Sequence, residues 1–250
     1  MTRSLLFFVI LPACLLMVRL ATAQGGPENV DTSPSGVPES LARSYSVASI
    51  SAADLSIPPR ARKEFAKANA LLERREFTKA LQHLNHVVLL DPDFAGAYNN
   101  LGVIYSQLGD SVNERKVLEK AIVLNDHFAL AYLNLGRMDV ASADFSDADT
   151  ALSKASSFDR SDPVSLILLT YSELMQKHFD DAIVTSQRAH ALSQPHAFAH
   201  RLAARAFEQE HQFTRAVAEL KQCLQEEPTG ARADSARREL EIVQNLQRAQ

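Results

Sequence analysis

The chain has 250 residues, 46% of them hydrophobic, with a formal net charge of −4. That composition excludes a disordered chain, and with no stripe of Lys and Arg standing out, nucleic acid is not an expected partner. The length admits one or two compact domains or a single elongated array.

The first element is an N-terminal apolar run. Arg3 precedes Leu5–Val18, which only Pro12 interrupts. The run is too short to cross a bilayer, which takes about 20 apolar residues. Ala21-Thr22-Ala23 has the small-x-small form cleaved by signal peptidase. Residues 1–23 are therefore expected to be a signal peptide, removed to leave Gln24 first in an exported, periplasmic or extracellular protein. Arg19, late in the run, keeps two other readings open. One is an uncleaved membrane anchor. The other is lipidation of Cys14 within Leu11-Pro12-Ala13-Cys14. A membrane is an expected partner only under these two. Cleavage leaves Cys223 as the sole thiol, so no internal disulfide can form.

Residues 24–57 are expected to be a flexible linker. Gly25, Gly26, Pro27, Pro34, Gly36 and Pro38 crowd its first part, and few large apolar residues accompany them. Within Ser44–Ile57, the side chains of Val47, Ile50, Leu55 and Ile57 can pin the chain against the region C-terminal to it. Pro58-Pro59 then presets φ for a helix start.

From Ala61 the sequence repeats every 34 residues, in segments 61–94, 95–128, 129–162, 163–196 and 197–230. One column reads Ala68, Gly102, Gly136, Thr170, Ala204, and another Ala80, Glu114, Ala148, Ala182, Ala216. A third reads Leu84, Leu118, Leu152, Ser186, Leu220. Four segments share a Phe-x-x-Ala step that begins at Phe77, Phe145, Phe179 and Phe213. Each segment reads as two helical patterns around a short polar break, at Arg75-Glu76, Gly109-Asp110, Ala143-Asp144, Lys177-His178 and Glu210-His211. The small residues let neighbouring helices approach, and the leucines fill the space between. Asp91-Pro92 and Glu227-Pro228 end second helices. Ser111 and Glu114 depart from the pattern, so the second segment's second helix is expected to pack differently or less closely. The fourth segment is the weakest, through Thr170, Glu173 and Ser186. Residues 231–250 form a last helical pattern with Ala233, Ala236, Leu240, Val243 and Leu246 on one face. That helix is the expected cap of the array.

The array resembles the tetratricopeptide repeat (TPR) family over about Ala61–Pro228. Tyr98, Leu101, Gly102 and Tyr105 carry its aromatic-x2-Leu-Gly-x2-Tyr pattern. The resemblance implies an all-α, right-handed solenoid of five helix-turn-helix repeats spanning 58–228, plus the capping helix. It also implies a concave face built by the first helices, where a protein or peptide partner binds. On this chain that face would be Asn99, Val103, Leu130, Leu133, Arg137, Val140, Ile167, Tyr171, Phe198, Arg201 and Arg205. Some family members clamp a C-terminal carboxylate with Lys, Asn, Asn and Arg. Asn69 and Asn100 match its two Asn places, but Phe65 and Asn134 stand where the cations belong, which excludes that mode. The stripe through Leu133 and Ile167 is apolar with a basic rim. It suits an amphipathic peptide, or cover supplied by Ser44–Ile57 folding back.

No phosphate-binding, dinucleotide-binding, zinc-protease or nucleophile-elbow motif occurs. No catalytic residue, metal ligand or cofactor is therefore expected. His196 and His200 stand four apart with no acid at a recognisable spacing, so they read as solvent-facing or groove-facing imidazoles. His83 and His86 read as solvent-exposed. Cys223 occupies a small-residue column and reads as structural. The resulting expectation is a non-catalytic scaffold that binds a peptide or amphipathic segment. The alternative is a membrane-tethered accessory subunit of a cell-envelope assembly or secretion machine.

Overall fold

The structure, a computed structural model, describes residues 45–49, 57–192 and 196–249. The expected signal peptide, and the linker apart from 45–49 and Ile57, lie outside the described residues. Within them the chain is all-helical. Five helix pairs follow one another: α1 Pro59–Glu73 with α2 Phe77–Leu90, α3 Ala95–Leu108 with α4 Ser111–Leu124, α5 Ala129–Ala141 with α6 Phe145–Phe158, α7 Pro163–Met175 with α8 Phe179–His190, and α9 Ala197–Gln209 with α10 Phe213–Glu226. A last helix, α11 Ala231–Arg248, closes the series.

The starts and stops follow from local chemistry. Pro58 caps α1, with Pro59 in its first turn. Asp162 caps α7 by accepting from Val164 N at 3.1 Å and Ser165 N at 2.9 Å. α2 ends one residue before Asp91 and α10 one before Glu227, each of which precedes a proline. The four phenylalanines of the Phe-x-x-Ala step each open a second helix. Where the step is missing, Asp110 caps α4 instead, accepting from Asn113 N at 3.1 Å.

The turn inside every pair is built alike. Arg75, Gly109, Ala143, Lys177 and His211 all take a left-handed φ between 55° and 73°. The next residue then donates its N–H back to the carbonyl of residue 71, 105, 139, 173 or 207 at 2.8–2.9 Å. The fifth break is thus His211-Gln212, one residue later than the polar cluster at Glu210-His211 suggested. Packing register, rather than local polarity, sets it.

Close approach within a pair rests on glycine. A Cβ on Gly136 would stand 2.5 Å from Leu152 Cγ, and one on Gly102 would stand 2.6 Å from Leu118 Cδ2. The second pair is therefore as tight as the third, against the expectation from Ser111 and Glu114. The fourth pair inverts the sizes, with Thr170 and Ser186 in the two columns and both fully buried. Their hydroxyls donate to carbonyls of their own helices, Thr170 Oγ1 to Leu166 O at 2.9 Å and Ser186 Oγ to Ile183 O at 2.8 Å. Ala68, Ala80, Ala148, Ala182 and Ala216 are all fully buried, as a small-residue column requires. On α11, Ala233, Ala236 and Val243 are buried, but Leu246 is 40% exposed and falls off the expected face.

Candidate functional site

Residues 45–49 lie within Ser44–Ile57, the part of the linker that could pin against the array or fold back as its cover, and they are bound by the first helices of the array. α1 presents Asn69, α3 presents Asn99 and Asn100, and α5 presents Asn134. Ala48 donates its N–H to Asn100 Oδ1 at 2.7 Å, and its carbonyl accepts from Asn100 Nδ2 and Asn69 Nδ2, both at 3.0 Å. Two residues back the pattern recurs. Ser46 donates to Asn134 Oδ1 at 3.0 Å, and its carbonyl accepts from Asn134 Nδ2 at 2.9 Å and Asn99 Nδ2 at 3.1 Å. A spacing of two puts main-chain groups on one side of an extended chain.

The amides also hold one another. Asn100 Nδ2 reaches Asn69 Oδ1 at 2.8 Å, Asn99 Nδ2 reaches Asn100 Oδ1 at 3.0 Å, and Asn134 Nδ2 reaches Asn99 Oδ1 at 2.9 Å. Asn99, Asn100 and Asn134 are completely buried. A buried amide without partners is costly, and here the segment's backbone and the neighbouring amides together supply those partners.

Side chains of the segment are read at two places. Tyr45 hydrogen-bonds through its phenol to Glu114 and Ser106, and the Arg137 guanidinium lies 6.0 Å from its ring centroid. The Ala48 methyl is buried beside Gly96, where a Cβ would meet it at 3.5 Å. Burial pushes the Glu114 carboxyl up to about 7 and, with the nearby Glu114 charge, the Tyr45 phenol to about 12. Burial also brings Arg137 down to about 10. Glu114, the misfit in an alanine column, is thus the acceptor for Tyr45.

The residues expected to line an open groove fall into three groups. Asn99 joins the amide row and Arg137 faces Tyr45. Val103, Leu133, Val140, Ile167 and Tyr171 are buried, at 5% exposure or less, while Leu130 and Phe198 are half-buried. Arg201 and Arg205 are tied to the cap. Arg201 grips Glu239 through Nε at 2.7 Å and Nη2 at 2.9 Å, and Arg205 Nη2 adds a third bond at 2.9 Å. Together these bonds hold the Glu239 carboxyl below its ordinary value despite its burial.

The sequence placed Asn69, Asn99, Asn100 and Asn134 on the concave face and read Asn69, Asn100 and Asn134 against a carboxylate clamp that they do not complete. It gave no sign of Ser46 and Ala48 as the bound groups, because backbone recognition leaves no side-chain signature. His200 is neither solvent-facing nor groove-facing, since α10 supplies it with two carboxylates. His83 is only partly exposed and pairs with Glu64 at 2.6 Å, whereas His86 is exposed. Cys223 is buried, and burial raises its thiol to about 11, as for a structural cysteine.

Comparison with known proteins adds a family. A TPR repeat model matches residues 68–109, and a tetratricopeptide repeat model matches 95–128. Residues 68–128 are thus tetratricopeptide repeats, and the chain shares the TPR fold. Its fold is shared with YrrB, described as a TPR protein with an unusual peptide-binding site. That likeness has a TM-score of 0.61 at 19% identity, over 70% of this chain and 90% of YrrB. Pseudomonas aeruginosa pilF aligns at a TM-score of 0.66 and 17% identity, over 75% of this chain and 86% of pilF. MamA 41-end from Desulfovibrio magneticus RS-1 aligns at 0.62 and 15% identity, over 70% of this chain and 99% of that one. At these identities the likeness is one of fold. No curated protein matches the chain. TPR proteins are in general non-catalytic, and the TPR fold supports a protein–protein interaction scaffold with protein or peptide partners.

Proposed function

We propose that this TPR protein is a non-catalytic scaffold whose asparagine row takes one extended strand of polypeptide. Residues 45–49 hold the row until a partner segment displaces them. The observation that carries this reading is that side-chain amides pair both the N–H and the C=O of Ser46 and of Ala48. Amide pairing with backbone is indifferent to side chains, so selection falls to the two flanking contacts. A partner segment carries a phenol where Tyr45 stands and a methyl-sized side chain three residues on. Displacement exchanges one set of hydrogen bonds for the same set. The resident segment is favoured mainly by tethering, equivalent to an effective concentration on the order of millimolar. This reading moves recognition away from Leu133, Ile167, Arg201 and Arg205, which the chain itself covers or pairs.

The test uses the full chain carrying Ser46→Pro and Ala48→Pro, which removes both N–H donors from the resident segment. A labelled peptide copying residues 43–51 should bind this variant at least tenfold more tightly than the unmodified chain. Adding Asn100→Ala should abolish that binding. Equal binding by both chains, or binding that survives Asn100→Ala, refutes the reading.

We further propose that the protein is exported, on the strength of the Leu5–Val18 run and Ala21-Thr22-Ala23. A mature chain starting at Gln24 supports this. Retention of Leu5–Val18, or a lipid on Cys14, favours the tethered accessory subunit instead.

A further inference from the structure

A second cluster of polar side chains sits away from the asparagine row, where the fourth helix pair meets the fifth. His190 is the last residue of α8, His200 lies on α9, and Glu219 and Glu226 lie on α10. His190, His200 and Glu219 each place a ligand-type atom within 4.8 Å of the other two. The two imidazoles stack, with centroids 3.8 Å apart and planes 22° from parallel. His200 is gripped at both edges, with Nδ1 at 2.7 Å from Glu219 Oε2 and Nε2 at 3.2 Å from Glu226 Oε1.

An ordinary ion pair accounts for His200 and for little else here. His190 Nε2, His196 Nε2 and Glu226 Oε2 are all buried without a hydrogen-bond partner. Each such orphan costs on the order of 1–3 kcal/mol, and native folds hold only a few per hundred residues. Of these, His190 belongs to the cluster of ligand-type atoms with His200 and Glu219, so a partner for its orphaned nitrogen lies in their midst. With two imidazoles and the Glu219 carboxylate around it, that partner takes lone pairs from both nitrogen and oxygen, which selects a cation rather than an anion or an apolar ligand.

We propose that His190, His200 and Glu219 bind one divalent transition-metal ion of the zinc class, and that Glu226 orients the His200 ring. Imidazole with carboxylate is the donor set of zinc and its neighbours, while calcium and magnesium take oxygen alone. Coordination through Nδ1 leaves Nε2–H to donate to Glu226, the outer carboxylate contact usual for a metal-bound histidine. A tetrahedral ion with bonds near 2.0–2.1 Å spaces its ligand atoms about 3.3 Å apart. Glu219 and His200 therefore open slightly as the ion replaces the hydrogen between them, and His190 swings inward. His196, just before α9, supplies a fourth ligand, or water does. The ion clips the outer helix of the fourth pair to both helices of the fifth.

The experiment is calorimetric titration of the chelator-treated full-length protein with zinc chloride, repeated with cobalt(II) and read by visible absorption. One equivalent should bind at micromolar Kd or tighter, raise the thermal midpoint and give the intense absorption of four-coordinate cobalt. His190→Gln, at a helix end, should weaken binding at least tenfold without altering the helical spectrum or the metal-free midpoint. Glu219→Gln should do the same, and His83→Gln with His86→Gln should change nothing. The proposal is overturned by no binding, by binding that His190→Gln and Glu219→Gln leave intact, or by binding lost with His83 and His86.

Discussion

The first three helix pairs and the last one satisfy the polar groups on their inner helices in opposite ways. In the first three, neutral amides from Asn69, Asn99, Asn100 and Asn134 close on a strand of backbone. In the last, two guanidiniums close on the single carboxylate of Glu239. The amide row offers the same bonds to any extended chain, so its occupant is exchangeable in principle. The ionic clasp offers its bonds to one side chain of a helix that is already covalently next in line. One end of the solenoid is thus built for a segment that can leave, and the other for a cap that stays.

The comparison breaks most visibly through single deletions on each side. Asn100→Ala removes both bonds to Ala48 and strands the partners of a fully buried amide, which should cost about 3 kcal/mol in denaturant unfolding. It should also release residues 45–49, made visible as protease cleavage between Ser44 and Ile57 of the otherwise folded chain. Glu239→Ala should cost about 2 kcal/mol, because the pair it breaks is partly solvated. Its hydrogen-exchange signature should be confined to α11 and the end of α9. If Glu239→Ala instead loosens residues 45–49, the two ends are coupled and do not differ in kind.

Much of the fold was legible because tight packing writes itself as residue size. Gly102 against Leu118 and Gly136 against Leu152 leave columns that no solvent-facing position would keep. The site was less legible for the converse reason. What Asn100 and Asn134 grip is backbone, and any residue in an extended chain supplies that. Glu114 was visible as a misfit in its column, but its role needs Tyr45, which is 69 positions away. The capping helix was read by its apolar face alone, whereas its Glu239 stands one 34-residue period after Arg205 and 38 positions after Arg201, a polar pairing that an apolar face does not report. His200 was judged from its own helix, and its carboxylates come from the next.

A pH series sharpens the view of the amide end. Burial raises Glu114 above its unfolded value to about 7, so the folded chain holds this proton more tightly than the unfolded one. The stabilisation is fully present below about pH 4.5 and is lost as pH rises through about 7. Glu173, also raised to about 7 by burial, acts in the same direction. Glu114→Gln keeps an acceptor for Tyr45 and removes the charge. Its midpoint should match the parent at pH 5 and exceed it at pH 8. A parent protein whose stability is flat between pH 5 and 8, with Glu173→Gln also without effect, removes buried protonated carboxyls from the account.

The smallest effect expected comes from the turns, and it separates the repeats by backbone alone. Positions 75, 109, 143, 177 and 211 share a left-handed φ, yet only Gly109 is free of the strain a Cβ brings there. Arg75, Lys177 and His211 carry long side chains that can interact nearby, but Ala143 bears the methyl and gains little from it. Ala143→Gly should therefore stabilise the third pair by about 1 kcal/mol, and Gly109→Ala should destabilise the second by a similar amount. Nothing lies within 4 Å of a Cβ added at Gly109, so the change there is conformational and not steric. Paired thermal melts of the two single variants and their double decide the matter. Opposite shifts that cancel in the double mean the turns act independently and each pair carries its own share of the array's stability.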